Sequence, residues 1–378
     1  MNDQKAKILL VDDEPASVEQ LANLIGDGAD VKVVEPSDVT LEMLEASDLL
    51  LVDFALRVWP DRDSVSVLGL HPEDGLALAE VFRSALRAAK IRKPIAFAAL
   101  TGELQLLTNP FPADPREHMV ARSVNLEWAF QKKTASEKLA RQFLQLAHAV
   151  QSLPKDWPHE SSEKKDKLLS ELLDLHEEQD WSDAALADVS KCHPPIMELS
   201  TWSHGLSFVR WLLHRILPYP CFLIDSRYTA ARLRITHKSL LTSLELKEPL
   251  SEKLNAVTYL GILNSFSETR WWRVGLDSVI WDLTSDDPFS SKVLWAKVKE
   301  LAPSAELIDI PNPVVCVDGD YRSTDIIVDA SDCVRLLPDD WPIFAEKGWA
   351  RRSDAQEDER LKLVVIEEDQ GLLERAPE

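Results

Sequence analysis

The sequence predicts a doubly wound, five-stranded parallel α/β domain at the N-terminus, followed by a mostly α-helical domain with a few late strands. Two observations predict the first part. Short apolar runs that suit strands buried on both faces recur through the first 130 residues, and helical spacings separate them. A third observation predicts the rest: ten of the twelve Trp lie beyond residue 150, a density that marks a well-packed core. Strands alternating with helices imply a parallel sheet covered on both sides.

The chain is organised around Asp48 to Leu56, where an apolar run ends in a carboxylate at Asp53. Lys7 to Asp13 is a similar run, ending in Asp12 and Asp13, and Pro15 then suits a helix's first turn. Leu21, Leu24 and Ile25 continue that helix; Asp30 to Val34 reads as a second strand and Leu41 to Leu44 as a short helix. Residues 57–72 interrupt the pattern and read as an extended loop. Asp74-Gly75 leads into an amphipathic helix carrying Leu78, Phe82 and Leu86. Pro94 to Thr101 is a fourth strand, Leu104 to Arg122 reads as irregular, and Val124 to Phe130 is a fifth strand followed by Lys132 and Lys133. Leu139 to Val150 completes the unit as a helix.

In such a sheet the first and third strands are neighbours at the switch point, so their terminal carboxylates converge. A hard divalent cation, Mg²⁺, relieves the repulsion between them. A hydroxyl (Thr101) and an ammonium (Lys132 or Lys133) beside an Asp–Mg²⁺ pair are what phosphoryl transfer needs, with Asp53 the nucleophile.

These motifs resemble the receiver domain of two-component response regulators, a flavodoxin-like fold. The resemblance covers residues 5 to about 150 and rests on Val11-Asp12-Asp13-Glu14-Pro15, Leu50-Leu51-Val52-Asp53, Asp74-Gly75-Leu76, Ala99-Leu100-Thr101-Gly102 and Phe130-Gln131-Lys132. It implies that Asp53 accepts phosphate from a phosphohistidine of a sensor histidine kinase or phosphotransfer protein. It also implies that Asp12, Asp13 and Asp53 hold Mg²⁺ with the Ala55 carbonyl, and that Thr101 and Lys132 contact the phosphate. Two departures stand out: the segment between Asp53 and Thr101 is long, and Lys133 occupies the place where the family has Pro. A degenerate receiver that takes no phosphate is one alternative.

The chain divides, on this reading, into a receiver (1–152), a charged linker and helix (153–190), a Trp-rich output or interaction domain (191–350) and a charged, partly mobile tail (351–378). Thr229 to Leu244 has the rhythm of a helix-turn-helix with Lys238, Ser239 and Thr242 toward a groove, although Arg234 stands at the usual turn glycine. Arg270-Trp271-Trp272-Arg273 reads as core rather than as a phosphate-binding patch. Asp318-Gly319-Asp320 reads as a turn, and neither Asp318, Asp320 and Asp325 nor Cys192-His193 has the spacing of a metal site. Leu254 to Phe266 and Trp271 to Leu283 read as helices, and Leu361 to Ile366 as a strand.

The net charge of −22 argues against broad electrostatic binding to nucleic acid, though residues 201–275 hold 10 basic against 5 acidic side chains. No run is long and apolar enough for a membrane span, the N-terminus lacks a signal-peptide pattern, and the four cysteines are unpatterned. The expectation is a cytoplasmic protein whose only chemistry is its own phosphorylation and dephosphorylation. Its second half would signal through an effector protein or a homodimer, or the chain would serve as a phosphate sink; DNA-binding transcription control is the less favoured alternative.

Overall fold

The computed structural model describes residues 5–56, 72, 74–102, 104–107, 116–134, 136–154, 162–195, 205–284, 287 and 290–373. Apart from Pro72, the expected 57–72 loop lies outside them. The chain divides into two compact units. The first comprises residues 1–172, 194–215 and 261–267, and the second residues 173–193, 216–260 and 268–378.

In the first unit, five strands alternate with helices: β1 (Ala6–Val11), α1 (Glu19–Ile25), β2 (Ala29–Val34), α2 (Leu41–Ala46), β3 (Leu49–Asp53), α3 (Gly75–Ala88), β4 (Ala96–Thr101), α4 (Glu117–Ser123), β5 (Trp128–Gln131) and α5 (Ser136–Gln151). The strands are all parallel, in the order β2-β1-β3-β4-β5. This is the doubly wound sheet that the apolar runs predict. Every residue of β3 and β4 is buried, as expected of strands covered on both faces.

Alternation along the strands divides the core. Leu9, Val11, Leu50, Val52, Phe97, Ala99 and Ala129 pack with Leu44, Leu78, Phe82, Leu86, Val120 and Ala121 from α2, α3 and α4. The opposite face carries Trp128 and Phe130, and the Phe130 ring meets Phe143 of α5 edge-on at 4.6 Å. Asp48, buried where β3 begins, accepts from the Lys7 amide at 2.8 Å and pairs with Lys93 at 2.7 Å. Leu104 to Arg122, read as irregular, contains a helical turn at Leu104–Leu107 and the helix α4. The apolar signal there, Val120 and Ala121, is too brief to show a period.

Beyond α6 (Ser162–Leu173), α7 (Ser182–Lys191) belongs to the second unit and α8 (Leu206–Trp211) to the first. The second unit then continues through β6 (Leu223–Ile224), α9 (Ser226–Leu233), α10 (His237–Glu245), α11 (Pro249–Asn255), β7 (Trp271–Trp272), α12 (Arg273–Leu283) and α13 (Ser291–Leu301). It finishes with β8 (Pro313–Val317), β9 (Ser323–Asp329), β10 (Cys333–Leu336), β11 (Gly348–Arg351), α14 (Arg352–Glu357), α15 (Glu359–Leu363) and α16 (Glu367–Leu373). The late strands form a four-stranded sheet in the order β10-β11-β8-β9, and β6 pairs with β7.

Trp271 and Trp272 are 1% exposed, which bears out the core reading of that cluster. Their flanking arginines meet carboxylates: Arg270 faces Asp225 at 3.7 Å, and Arg273 pairs with Asp188 and Glu346. Three further expectations differ from the structure. The helix read over Trp271 to Leu283 begins at Arg273, because Trp271 and Trp272 pair as β7 with β6. The helix read over Leu254 to Phe266 ends at Asn255, and the chain then runs through turns to Ser267, with Leu263 in a left-handed conformation (φ 64°). Leu361 to Ile366 is the end of α15 followed by a single bridge from Val365 to Leu336, and the tail carries three helices up to Leu373. Of the five apolar residues in 361–366, only Leu361 and Val365 are buried, four apart, and not in the alternation that a strand buried on one face would show.

Candidate phosphoacceptor site

Asp53 is the last residue of β3, and Asp12 and Asp13 follow the last residue of the adjacent β1. Val11 pairs in register with Val52, so the chain carries both carboxylate groups out of the sheet at one place. Ligand atoms of Asp12, Asp13 and Asp53 lie within 4.8 Å of one another, and all three residues are buried. Among the described residues this is the cluster of acids that could hold a metal ion. An all-carboxylate, hard-oxygen set fits Mg²⁺.

The opposing strand ends bring the cation and the hydroxyl. Thr101, 2% exposed, closes β4, and its carbonyl accepts from the Lys132 amide at 2.7 Å. Lys132 Nζ lies 2.8 Å from Asp53 Oδ1 and 3.5 Å from Asp12 Oδ2. The ammonium that meets the carboxylates is thus Lys132, which separates it from Lys133. Ala55, whose carbonyl the resemblance assigns to the metal, forms a bridge with Asp74 just after β3. The Glu14 amide donates to Asp12 Oδ1 at 2.8 Å, holding one oxygen and leaving the other toward Lys132.

Gly75 opens α3 directly against this strand end. Its amide donates to the Phe54 carbonyl at 2.9 Å, and a Cβ there would overlap the Asp53 carbonyl oxygen. Only glycine lets the helix start so close to the carboxylate-bearing backbone.

Burial pushes the Asp53 carboxyl above its usual range; the Lys132 ammonium opposes this, and Asp12 and Asp13 add to it. Burial works against the Lys132 charge too, but the Asp53 and Asp12 carboxylates outweigh it and raise the ammonium's pKa. The Asp53 shift has a stability consequence. Its folded pKa is raised, so its favourable contribution is present below the ordinary carboxylate pKa and lost as pH rises through the folded value. At neutral pH ionised Asp53 is therefore a cost. Asp53→Asn is expected to melt higher than wild type in metal-free neutral buffer, by about 2–4 °C for each kcal/mol relieved. Thermal melts across pH check this: the gain should shrink as pH falls below the carboxylate range.

The second unit contains a hydrogen-bonded chain with the connectivity of a catalytic triad. Ser226 Oγ lies 2.8 Å from His237 Nε2, and His237 Nδ1 lies 2.9 Å from Asp325 Oδ1. Its surroundings oppose nucleophilic catalysis. The Ser226 hydroxyl donates to Glu268 Oε2 at 3.0 Å, so its proton is directed away from the imidazole, and the Arg227 and Tyr228 amides at the helix start are taken up by Asp225 and are not free to hold an oxyanion. The chain pins the start of α9 to the start of α10. Arg234, between those helices, adopts the left-handed conformation (φ 57°) that a turn glycine would take, and its guanidinium is held by the Ile310 and Pro311 carbonyls. Ser239, expected to face a groove, is 7% exposed, and its Oγ accepts from the Glu306 amide at 2.9 Å. The exposed positions of α10 are Lys238, Leu241 and Glu245, with Leu246 after it. One cation among them is a poor phosphate-tracking surface. Asp318 Oδ1 accepts from the Asp320 and Arg322 amides, both at 2.9 Å, which makes that stretch the turn it was read as.

No family model matches the sequence, and no curated protein matches it. Solved structures do. One is the response regulator ChrA of a heme-sensing two-component system, 16% identical, with a TM-score of 0.24, covering 66% of this chain and 90% of that one. Another is the Salmonella typhimurium response regulator RcsB, in a structure concerned with conformational dynamism for DNA interaction. It is 14% identical, with a TM-score of 0.26, covering 55% of this chain and 88% of that one. Both neighbours are response regulators.

Sequence reasoning missed one set of groups in the first unit. Glu127, just before β5, is fully buried; its carboxylate accepts from the Phe97 amide at 2.5 Å and pairs with Arg210 Nε at 2.7 Å. Arg210 also donates to the Asn125 side chain at 2.6 Å, and His214 Nε2 meets the Glu127 carbonyl at 2.8 Å. Burial lowers the His214 pKa to about 4, so at neutral pH the ring is uncharged and donates from Nε2. The available signal was the charge on an otherwise apolar helix, Arg210 and His214 between Leu206 and Ile216.

Proposed function

We propose that the first unit is a phosphoacceptor receiver and the protein a response regulator that signals through protein–protein contacts of its second half. The observation that supports it most is Lys132 Nζ at 2.8 Å from Asp53 within a cluster of three buried carboxylates. Three buried carboxylates gathered beside one ammonium are a hard-oxygen set that suits a divalent ion and a transferable phosphoryl group.

In this reading an Asp53 oxygen attacks the phosphorus of a phosphohistidine on a sensor kinase or phosphotransfer protein. The P–O bond forms as the P–N bond breaks, and the imidazole leaves with the electron pair. Asp12, Asp13 and Asp53, with the Ala55 carbonyl, would hold Mg²⁺, which neutralises charge on the equatorial oxygens. Lys132 moves from carboxylate to phosphoryl oxygen, and the Thr101 hydroxyl donates to another. The proton inventory of the protein is unchanged by the transfer.

Mg²⁺ titration followed by thermal unfolding tests the metal half of this reading. At a hundredfold excess over Kd the ion should add about 2.7 kcal/mol of stability to the wild type. Asp12→Asn should lose most of that gain. A wild type indifferent to millimolar Mg²⁺ would refute the metal assignment.

A further inference from the structure

We propose that the β5 edge of the sheet is covered in cis by two later segments, residues 205–215 and 261–267, and that phosphorylation of Asp53 is read out as a loosening of that cover. The inference rests on the receiver reading above and names the surface through which that reading would act. Both segments belong to the first unit by contact, although they lie 83 to 138 residues beyond the β5 residues they touch.

β5 is the last strand of the sheet, and its Trp128 and Phe130 rings project from the face that carries α5. Here the cover is specific. At the start of the strand, Arg210 holds the Glu127 carboxylate and Asn125, and His214 holds the Glu127 carbonyl and stacks on Trp128 at 6.4 Å. Along the strand, Phe266 meets Trp128 edge-on at 5.0 Å and approaches Phe130 at 6.2 Å. Phe266 is fully buried. At the far end, Lys132 contacts Asp53.

One short segment links the two ends. Trp128 and Phe130 lie on one side of β5, and Lys132 is the first residue after the strand, so the residue that would grip the phosphate follows two residues later than Phe130 on the same short segment. A phosphoryl group on Asp53 adds negative charge beside Lys132 and draws it, with the end of β5, toward β3. The Lys132 amide on the Thr101 carbonyl ties that movement to β4. The rings of Phe130 and Trp128 then shift inward, away from Phe266. Packed contacts of this kind respond in discrete steps rather than by continuous deformation. Residues 210, 214 and 266 act through β5 and are positioning residues, with no contact to the phosphate.

Linkage makes this testable in both directions. Beryllofluoride with Mg²⁺ serves as the phosphate mimic on the full chain, with binding followed by titration and the segments followed by hydrogen exchange. Bound beryllofluoride should raise amide exchange in residues 205–215 and 261–267. Arg210→Gln and, independently, Phe266→Leu should tighten beryllofluoride binding at least about fivefold, because the cover no longer resists the shift. Phe266→Leu keeps an apolar side chain and serves if Arg210→Gln does not fold. Wild-type binding with unchanged exchange in both segments, or variants that bind no tighter than wild type, would overturn this inference and leave the receiver reading intact. Failure of the folded wild type to bind beryllofluoride at all would remove both.

Discussion

Lys132→Ala is expected to slow phosphorylation of Asp53 by acetyl phosphate about 10²–10³-fold, whereas Lys133→Ala stays near the wild-type rate. The difference follows from position. Lys132 Nζ lies 2.8 Å from Asp53 and 3.5 Å from Asp12 and is only 37% exposed, so it is already placed where, in the proposed transfer, the phosphoryl charge would develop. Lys133 is exposed, one residue further on. A preorganised cation costs no reorganisation during transfer, and its removal leaves three carboxylates facing an incoming anion. Arg at 132 keeps the charge but not the reach of a compact ammonium, and should recover only part of the rate. Rates from intact-mass time courses at fixed Mg²⁺ give the comparison directly. Equal rates for the two alanine variants would remove Lys132 from the site.

Arg210→Ala is expected to cost about 2–4 kcal/mol of stability, a little below the range for a fully buried pair because Arg210 is 32% exposed. The cost arises on the other partner. Glu127 is 0% exposed, and without the guanidinium its carboxylate keeps only the Phe97 amide among the contacts described here. The double variant Glu127→Gln/Arg210→Met should recover most of the loss, because it removes the buried charge along with its counterion. Urea unfolding of the four proteins measures the coupling. The same logic predicts that residues 1–152 alone are less stable than in the full chain, since they lack Arg210, His214 and Phe266.

The strands and the carboxylate cluster were legible because both have local signatures. A parallel strand buried on two faces must be a continuous apolar run, and Leu49 to Val52 or Ala96 to Leu100 can be little else. The chemistry then falls at strand ends, where Asp12, Asp53, Thr101 and Lys132 interrupt apolar sequence. The cover over β5 was not legible. Arg210 reaches Glu127 across 83 residues and Phe266 reaches Trp128 across 138, and no local period encodes such a pairing. Residues 256–267 suggest a helix only by their apolar spacing; Val257, Thr258, Gly261, Asn264 and Ser265 are weak helix formers, and the segment buries Tyr259, Leu263 and Phe266 through a series of turns instead. A helix-turn-helix rhythm fixes spacing and not which way the pair packs, so it does not determine whether Ser239 faces outward. In the fold it faces Thr236 and Glu306.

The triad-like chain of Ser226, His237 and Asp325 shows the converse. Connectivity alone does not make a catalytic site; where the hydroxyl's proton is directed and whether amides are free for an oxyanion decide. With Glu268 3.0 Å from Ser226 Oγ and the nearby amides committed to Asp225, that decision goes to a structural role.

The central claim is that Asp53 carries a phosphoryl group. The most direct test is the intact mass of the full chain after incubation with Mg²⁺ and acetyl phosphate, beside Asp53→Asn treated in the same way. The account predicts one added phosphoryl group on the wild type, not formed when Mg²⁺ is chelated before acetyl phosphate is added, and none on the variant. An unmodified wild type, or equal modification of Asp53→Asn, would contradict it.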